Sequence, residues 1–232
     1  MRILHVLLAL LLSVSVCAAR ESEKVVFTDE QTVLELYQLM KDVHEVFEAN
    51  NLEYWLEGGT LLGAVRHGGI IPWDNDLDVC IDYKDEGRFL ALLPIFYDLG
   101  FTKRDHHWGY KLVTPTGAAL DVFLAINIDN KIMYWSERIR EFYGTRDNGP
   151  LYITPEELFP LKDYQFGQLL VKGPNNPYQY LNSGYPNWDK EVRVLIDHYY
   201  NGYDPRVIAL TPELAIPAQP TGPLIDRVVV AK

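Results

Sequence analysis

The sequence predicts an α+β fold: a mixed β-sheet with helices packed on one face, followed by an irregular, partly helical C-terminal extension. Three observations carry that expectation. Val33, Leu36, Tyr37, Met40, Val43 and Phe47 recur at the 3.6-residue spacing of an amphipathic helix. Residues 74–82 alternate acidic and aliphatic side chains with the period of two that belongs to a strand. Residues 119–126 form an apolar run broken by one charge, Asp121, as in a buried strand. With 48% hydrophobic and 23% charged residues over 232 positions, the chain has the make-up to bury an ordinary core.

Taken in order, the first segment is set apart from the fold. Arg2 gives a positive start, Ile3 to Val16 is nearly unbroken apolar sequence, and Cys17-Ala18-Ala19 supplies the small residues of a cleavage site. Residues 1–19 therefore read as a secretory signal peptide, with a short uncleaved membrane anchor as the alternative. The apolar run of about 14–17 residues falls short of the ~20 that span a bilayer. The expected location is the lumen of the secretory pathway (ER or Golgi) or outside the cell, with membrane contact only if the segment stays on. Removing it leaves Cys80 as the one cysteine, so no internal disulfide and no cysteine-rich zinc site is expected. A formal net charge of −11 argues against a nucleic-acid partner, which needs a basic surface.

Residues 20–190 read as one domain and 191–232 as an extension. Thr28 with Gln31 reads as a capping box in front of a helix over 29–49. Tyr54 to Glu57 reads as a short strand ending at Gly58-Gly59, and Thr60 to Val65 as a short helix stopped by His67-Gly68-Gly69. Residues 84–98 carry a second helical pattern through Phe89, Leu92, Leu93 and Phe96. Tyr110 to Val113 and Ala119 to Ile126 read as buried strands, with a turn at Asp129-Asn130. Beyond Gly144 the signals thin to a small helix near Tyr178 to Leu181. The Pro-rich stretch from Gly202 is expected to wrap the surface or fray. The strands around Tyr54, Asp76, Tyr110 and Asp121 should share one sheet, with the helices of 29–49 and 84–98 on the far face from an open acidic cleft.

The chemistry concentrates in residues 54–82. Asp74, Asp76, Asp78, Cys80 and Asp82 alternate with Asn75, Leu77, Val79 and Ile81. Side chains two apart on one strand face lie about 7 Å apart at the backbone, close enough to lean on one cation or a pair of them. Oxygen ligands without histidine suit Mg²⁺ or Mn²⁺ rather than zinc. The plainer alternative is an acidic, solvated edge strand. Gly58-Gly59-Thr60 lies between a strand and a helix, where backbone amides can face a phosphate. Asp121 is a carboxylate in an apolar strand, a costly placement unless a metal, or else an Arg or Lys, pairs with it. The histidines show no metal-ligand spacing, and no nucleophile elbow or P-loop is present.

The run Tyr54-Trp55-Leu56-Glu57-Gly58-Gly59-Thr60-Leu61-Leu62-Gly63-Ala64-Val65-Arg66-His67, with Ile71-Pro72-Trp73-Asp74-Asn75-Asp76-Leu77-Asp78, resembles the LicD family. That family includes bacterial phosphocholine transferases and the animal fukutin and fukutin-related proteins, within the nucleotidyltransferase (polymerase-β-like) superfamily. The resemblance spans about residues 30–190 and is densest over 54–82. Tyr180-Leu181 through Trp188 is similar to the family's C-terminal segment, except that Pro186 stands where a glycine is usual.

The resemblance implies a nucleotidyltransferase-like fold and a phosphotransferase acting on a CDP-linked alcohol, such as CDP-ribitol or CDP-choline, with a glycan or glycoprotein as acceptor. Asp76, Asp78 and Asp121 would hold Mg²⁺ or Mn²⁺, and Asp74 would be a ligand or a base. Gly58, Gly59 and Thr60 would meet the donor phosphates. Arg66 and Lys111 are candidate charge stabilisers, and Trp73 and Trp108 candidate stacking platforms. The competing class is a non-catalytic lumenal scaffold or glycan-binding relative of the same fold.

Overall fold

A computed structural model describes residues 25–144, 151–194 and 206–228. The expected signal peptide and His198 lie outside the described residues.

Helix α1 spans Glu30–Ala49. All six apolar residues that predicted it are buried. Its cap is one residue later than expected. The Asp29 side chain accepts from the Thr32 amide at 2.9 Å, whereas the Thr28 hydroxyl donates to the Asp74 backbone oxygen at 2.6 Å. A carboxylate is the better acceptor at a helix N-terminus, because it also meets the positive end of the helix dipole.

Strand β1 (Trp55–Leu56) leads into α2 (Gly58–Arg66), and β2 (Leu77–Asp82) follows. A 3₁₀ turn at Tyr83–Asp85 precedes α3 (Glu86–Ala91) and α4 (Leu93–Asp98). The single helix expected over 84–98 is thus two. Pro94 has no amide to donate, so it sits in the first turn of α4 and the preceding helix ends before it. Strands β3 (Thr102–His106), β4 (Gly109–Val113), β5 (Ala119–Ile128) and β6 (Lys131–Tyr134) complete the main sheet. Its order is β1-β2-β5-β4-β3, with β6 paired to the far half of β5. Strands β2 and β5 run parallel, and every other pair in this sheet is antiparallel. The sheet is therefore mixed, as expected. Asp129 and Asn130 both take positive φ in the β5–β6 turn, a conformation short polar residues tolerate.

Leu77, Val79 and Ile81 point into the main core with Leu36, Met40, Phe47, Phe89 and Phe96. Helices α1, α3 and α4 thus cover one face of the sheet. The opposite face is open only in part. Past Asp78, a second core of Trp55, Cys80, Phe123, Ile132, Tyr134, Ile153 and Leu158 seals it. That layer comes from segments whose sequence signals were weak: α5 (Glu137–Gly144), α6 (Pro155–Leu158) and the chain around Ile153, which bridges to Ile132.

A hairpin of β7 (Lys162–Phe166) and β8 (Leu169–Gly173) packs beside α2, and α7 (Tyr178–Gly184) follows. Strands β9 (Glu191–Val194) and β10 (Arg206–Ala209) pair antiparallel. The described part of the tail wraps the surface. Ala218 accepts from the Tyr37 hydroxyl at 2.8 Å, Ile225 donates to Gln38 at 2.8 Å, and Arg227 pairs with Asp42. Among the described residues no helix is long and apolar enough to cross a membrane.

Candidate active site

The site is built where β1 turns into α2 against the start of β2. The acidic row is not one strand. β2 begins at Leu77, and Asp74, Asn75 and Asp76 lie in the irregular segment before it. Asp74 donates its amide to Ile71 and accepts from the Asn75 amide with its own side chain at 3.1 Å. Asp is a poor strand former whose short carboxylate competes for local amides, which is why the row begins outside the strand.

The glycines let two carboxylates close on the backbone. A Cβ on Gly58 would stand 2.6 Å from Asp78 Oδ2, and one on Gly59 2.8 Å from Asp74 Oδ2. Gly58 also holds φ at +53°, the left-handed region that favours glycine. The Gly59 amide donates to Asp78 Oδ2 at 3.3 Å, and the Thr60 hydroxyl accepts from the Asp78 amide at 2.7 Å. Asp78 is gripped at both its side chain and its backbone. The Gly58 amide points to the Tyr180 hydroxyl at 3.3 Å. In this arrangement the amides of Gly58 and Gly59 serve Tyr180 and Asp78 instead of facing outward.

Asp121 lies beside Asp78 in register on β5 and is 6% exposed. Its carboxylate takes Lys111 Nζ at 3.1 Å and the Trp108 indole N–H at 3.2 Å. Lys111, a lysine partner of the kind the sequence left open, is in place. Burial still pushes its pKa up to about 6, against the pull of Lys111. Burial holds Asp78 well above the usual carboxylate range, and the charges of Asp76, Asp121, Asp74 and Glu57 push the same way. Asp74 is raised in the same manner, by burial and then by Asp76. Desolvation and like charge act together, so this corner of the fold favours protons or an added cation.

The donor set, carboxylate oxygen throughout, fits a hard divalent cation by chemistry. Among the described residues, however, no group of three or more His, Cys, Asp or Glu side chains is arranged to hold an ion. Asp121 is turned toward Lys111 and Trp108.

The remaining candidates are more structural. Arg66 donates to His67 Nε2 at 2.8 Å and to the carbonyls of Trp188 and Glu191 at 3.1 and 3.3 Å, pinning the chain after α7. Burial lowers its pKa to about 10, with Tyr185 and Asp74 favouring the charge. Trp73 is buried in the main core, edge-on to His67 at 5.9 Å. Trp108 is half-buried and stacks on His106 at 4.2 Å. Cys80 is buried and free.

Sequence reasoning missed Glu57. It is 5% exposed, and it accepts from the Tyr134 hydroxyl at 2.7 Å and from the Tyr180 hydroxyl. Burial pushes its pKa up, opposed by the two hydroxyls. The signal was present: a charge wedged between an apolar strand and a glycine turn, the same oddity that singled out Asp121. A cavity of about 20 Å³, the size of one water, lies beside it among Trp55, Cys80, Tyr134, Ile153 and Tyr180.

Residues 51–176, more than half of the chain, match the family described as LicD/FKTN/FKRP, nucleotidyltransferase domain. An uncharacterized protein of Rickettsia prowazekii is 40% identical over 223 residues, covering 90% of this chain and 81% of that protein. Ribitol 5-phosphate transferase FKRP of Homo sapiens is 62% identical over 43 residues, 18% of this chain and 9% of that one. Lipopolysaccharide cholinephosphotransferase LicD of Haemophilus influenzae is 34% identical over 85 residues, 34% of this chain and 29% of that one. Both of these named relatives are transferases, and the chain spans under a third of each. Among solved structures, lincosamide antibiotic adenylyltransferase LnuA aligns with a TM-score of 0.41 at 16% identity, covering 67% of this chain and 85% of that one. By the reach of the domain match and the extent of the Rickettsia alignment, the chain belongs to the LicD/FKTN/FKRP nucleotidyltransferase-domain family.

Proposed function

We propose that this chain is a metal-dependent phosphotransferase. It moves an alcohol phosphate, of the ribitol-phosphate or phosphocholine kind, from a CDP-linked donor to a glycan hydroxyl in the secretory pathway. The observation that carries the reading is the gathering of Asp74, Asp76, Asp78 and Asp121 near the Gly58–Gly59 turn, where burial and the Asp76 charge raise Asp74, Asp78 and Asp121. The names of two relatives, ribitol 5-phosphate transferase FKRP and lipopolysaccharide cholinephosphotransferase LicD, support the same class.

Asp76, Asp78 and Asp121, once drawn together, would hold Mg²⁺ or Mn²⁺, which would supply charge compensation for a diphosphate. The Gly58-Gly59-Thr60 turn fixes Asp78, so its carboxylate does not have to reorganise during the reaction. Asp74 is the group to take the acceptor proton, since burial and the neighbouring Asp76 charge raise its affinity for a proton. In the balanced step the acceptor oxygen bonds to the donor's alcohol-bearing phosphorus, its proton goes to Asp74, and the bond to CMP breaks. Lys111 and Arg66 lend positive charge to the same corner.

The test is CMP release from a panel of CDP-alcohols with Mn²⁺, alongside the melting temperature with and without the ion. Release from one donor and Mn²⁺-dependent stabilisation are expected. Neither effect with any donor would favour the second reading, a non-catalytic scaffold or glycan-binding relative. One observation favours that alternative: Lys111 already neutralises Asp121, as in a purely structural ion pair.

A further inference from the structure

Behind the glycine turn lies a buried hydrogen-bonded group that the proposed reaction does not use. Glu57 ends the β1 segment, and its amide donates to the Asp78 backbone oxygen at 3.1 Å. It occupies the N-cap position of α2, yet its side chain makes no capping bond. The carboxylate turns inward to the hydroxyls of Tyr134 and Tyr180. Tyr180 arrives on α7, far along the chain, and its hydroxyl also meets the Gly58 amide at 3.3 Å.

The direction of these bonds follows from the groups. A tyrosine hydroxyl has one proton to give and lone pairs to accept with. With its proton directed to Glu57, the Tyr180 oxygen presents a lone pair to the Gly58 N–H. One residue on, the Gly59 N–H donates to Asp78 Oδ2. Glu57, Tyr180, Gly58, Gly59 and Asp78 thus form a continuous chain from the second core to the acidic corner. Phenylalanine at 180 would keep the ring and remove the link to Gly58 together with one of the two hydroxyls on Glu57.

We propose that Tyr180, anchored by Glu57, is a positioning residue. It holds the Gly58 amide, sets the Gly58–Gly59 turn, and through the Gly59 amide fixes the carboxylate of Asp78. The kinetic consequence rests on the phosphotransferase reading; the structural consequence does not.

The experiment compares the full chain with Tyr180→Phe, Tyr134→Phe and Glu57→Gln by amide hydrogen exchange and by CMP release. For Tyr180→Phe, exchange at Gly58 and Gly59 should speed up about 10-fold, the scale of one lost hydrogen bond, with β5 amides unchanged. Its kcat should fall by about 10-fold or more while the donor KM stays within about 3-fold, because a misplaced carboxylate weakens the transition state more than the ground state. Tyr134→Phe removes a hydroxyl that bonds the same carboxylate oxygen and the Tyr180 side chain but does not touch Gly58, so exchange at the turn should rise clearly less than in Tyr180→Phe. Glu57→Gln keeps an acceptor oxygen for Tyr180 and should keep both readouts within about 3-fold of wild type.

Unchanged exchange in Tyr180→Phe, equal acceleration in Tyr134→Phe, or loss of β5 protection together with the turn would each overturn the proposal. Wild-type protein that releases no CMP from any donor would sink the phosphotransferase reading alone. The exchange comparison would still decide the role of Tyr180.

Discussion

Two buried carboxylates, Asp42 on α1 and Asp78 on β2, show how differently one fold can treat a negative charge. Asp42 is fully buried, which raises its pKa, but Arg227, Gln38 and Lys41 all pull the other way. Arg227 from the C-terminal tail pairs with it, Gln38 donates to it at 2.9 Å, and Lys41 lends its field. Asp78 has the Gly59 amide at its side chain and four other carboxylates around it, Asp76, Asp121, Asp74 and Glu57, all raising its pKa. Where the fold needs a buried charge for its own assembly, it brings a cation from far along the chain. At the glycine turn it brings more anions instead. A site that repels itself has no value for stability, and the proposed function gives it a use, the uptake of a cation from outside.

The largest expected difference between the two regions is in turnover. Asp78→Asn should cut CMP release by about 1000-fold, because the weaker ligand also misplaces what it holds. The melting temperature without metal should hold or rise, since one repelling charge is gone. A variant that unfolds instead would make Asp78 a structural residue like Asp42 and erase the contrast. Next in size is Arg227→Ala, which leaves the Asp42 carboxylate buried and unpaired. It should cost about 2–3 kcal/mol in denaturant unfolding, less than a fully buried pair because Arg227 is partly exposed. Turnover per folded molecule should not change.

The smallest effect is in pH dependence. Asp74, Asp78 and Asp121 all have folded-state pKa values raised above the unfolded value. Their contribution to stability is therefore complete below the unfolded pKa and is lost as pH rises through the folded one. For Asp121 that window runs from the ordinary 3.8 to about 6. Metal-free protein should melt at a lower temperature near pH 7 than near pH 5, and the slope should flatten in Asp78→Asn. A slope of opposite sign would mean the cluster is stabilised as anions by groups other than those described.

Much of this contrast could be read from the sequence, but unevenly. The helical spacing through Val33 and Phe47 and the apolar flanks of Asp121 are local patterns, and each placed its element correctly. The alternation over residues 74–82 is local too, but only its part from Leu77 is a strand. Strand β3 was missed because Thr102–His106 is largely exposed and polar, so no apolar alternation marks it. The break before Pro94 was hidden by the helical spacing on either side of it. Glu57 was overlooked because what identifies it is its partners. Tyr134 and Tyr180 lie 77 and 123 residues downstream, and nothing local announces that three side chains will meet. Asp42 was passed over likewise, since its cation is 185 residues away. Charge type is a local property; charge compensation is a tertiary one.

The most direct measurement is the thermal shift produced by Mn²⁺ in wild type, Asp78→Asn and Arg227→Ala. If the acidic corner takes up a cation from outside while Asp42 is satisfied from within, wild type and Arg227→Ala should gain the same increment in melting temperature, and Asp78→Asn should lose most of it. An equal shift in all three proteins, or none in wild type, would contradict the assignment of this corner as the functional site.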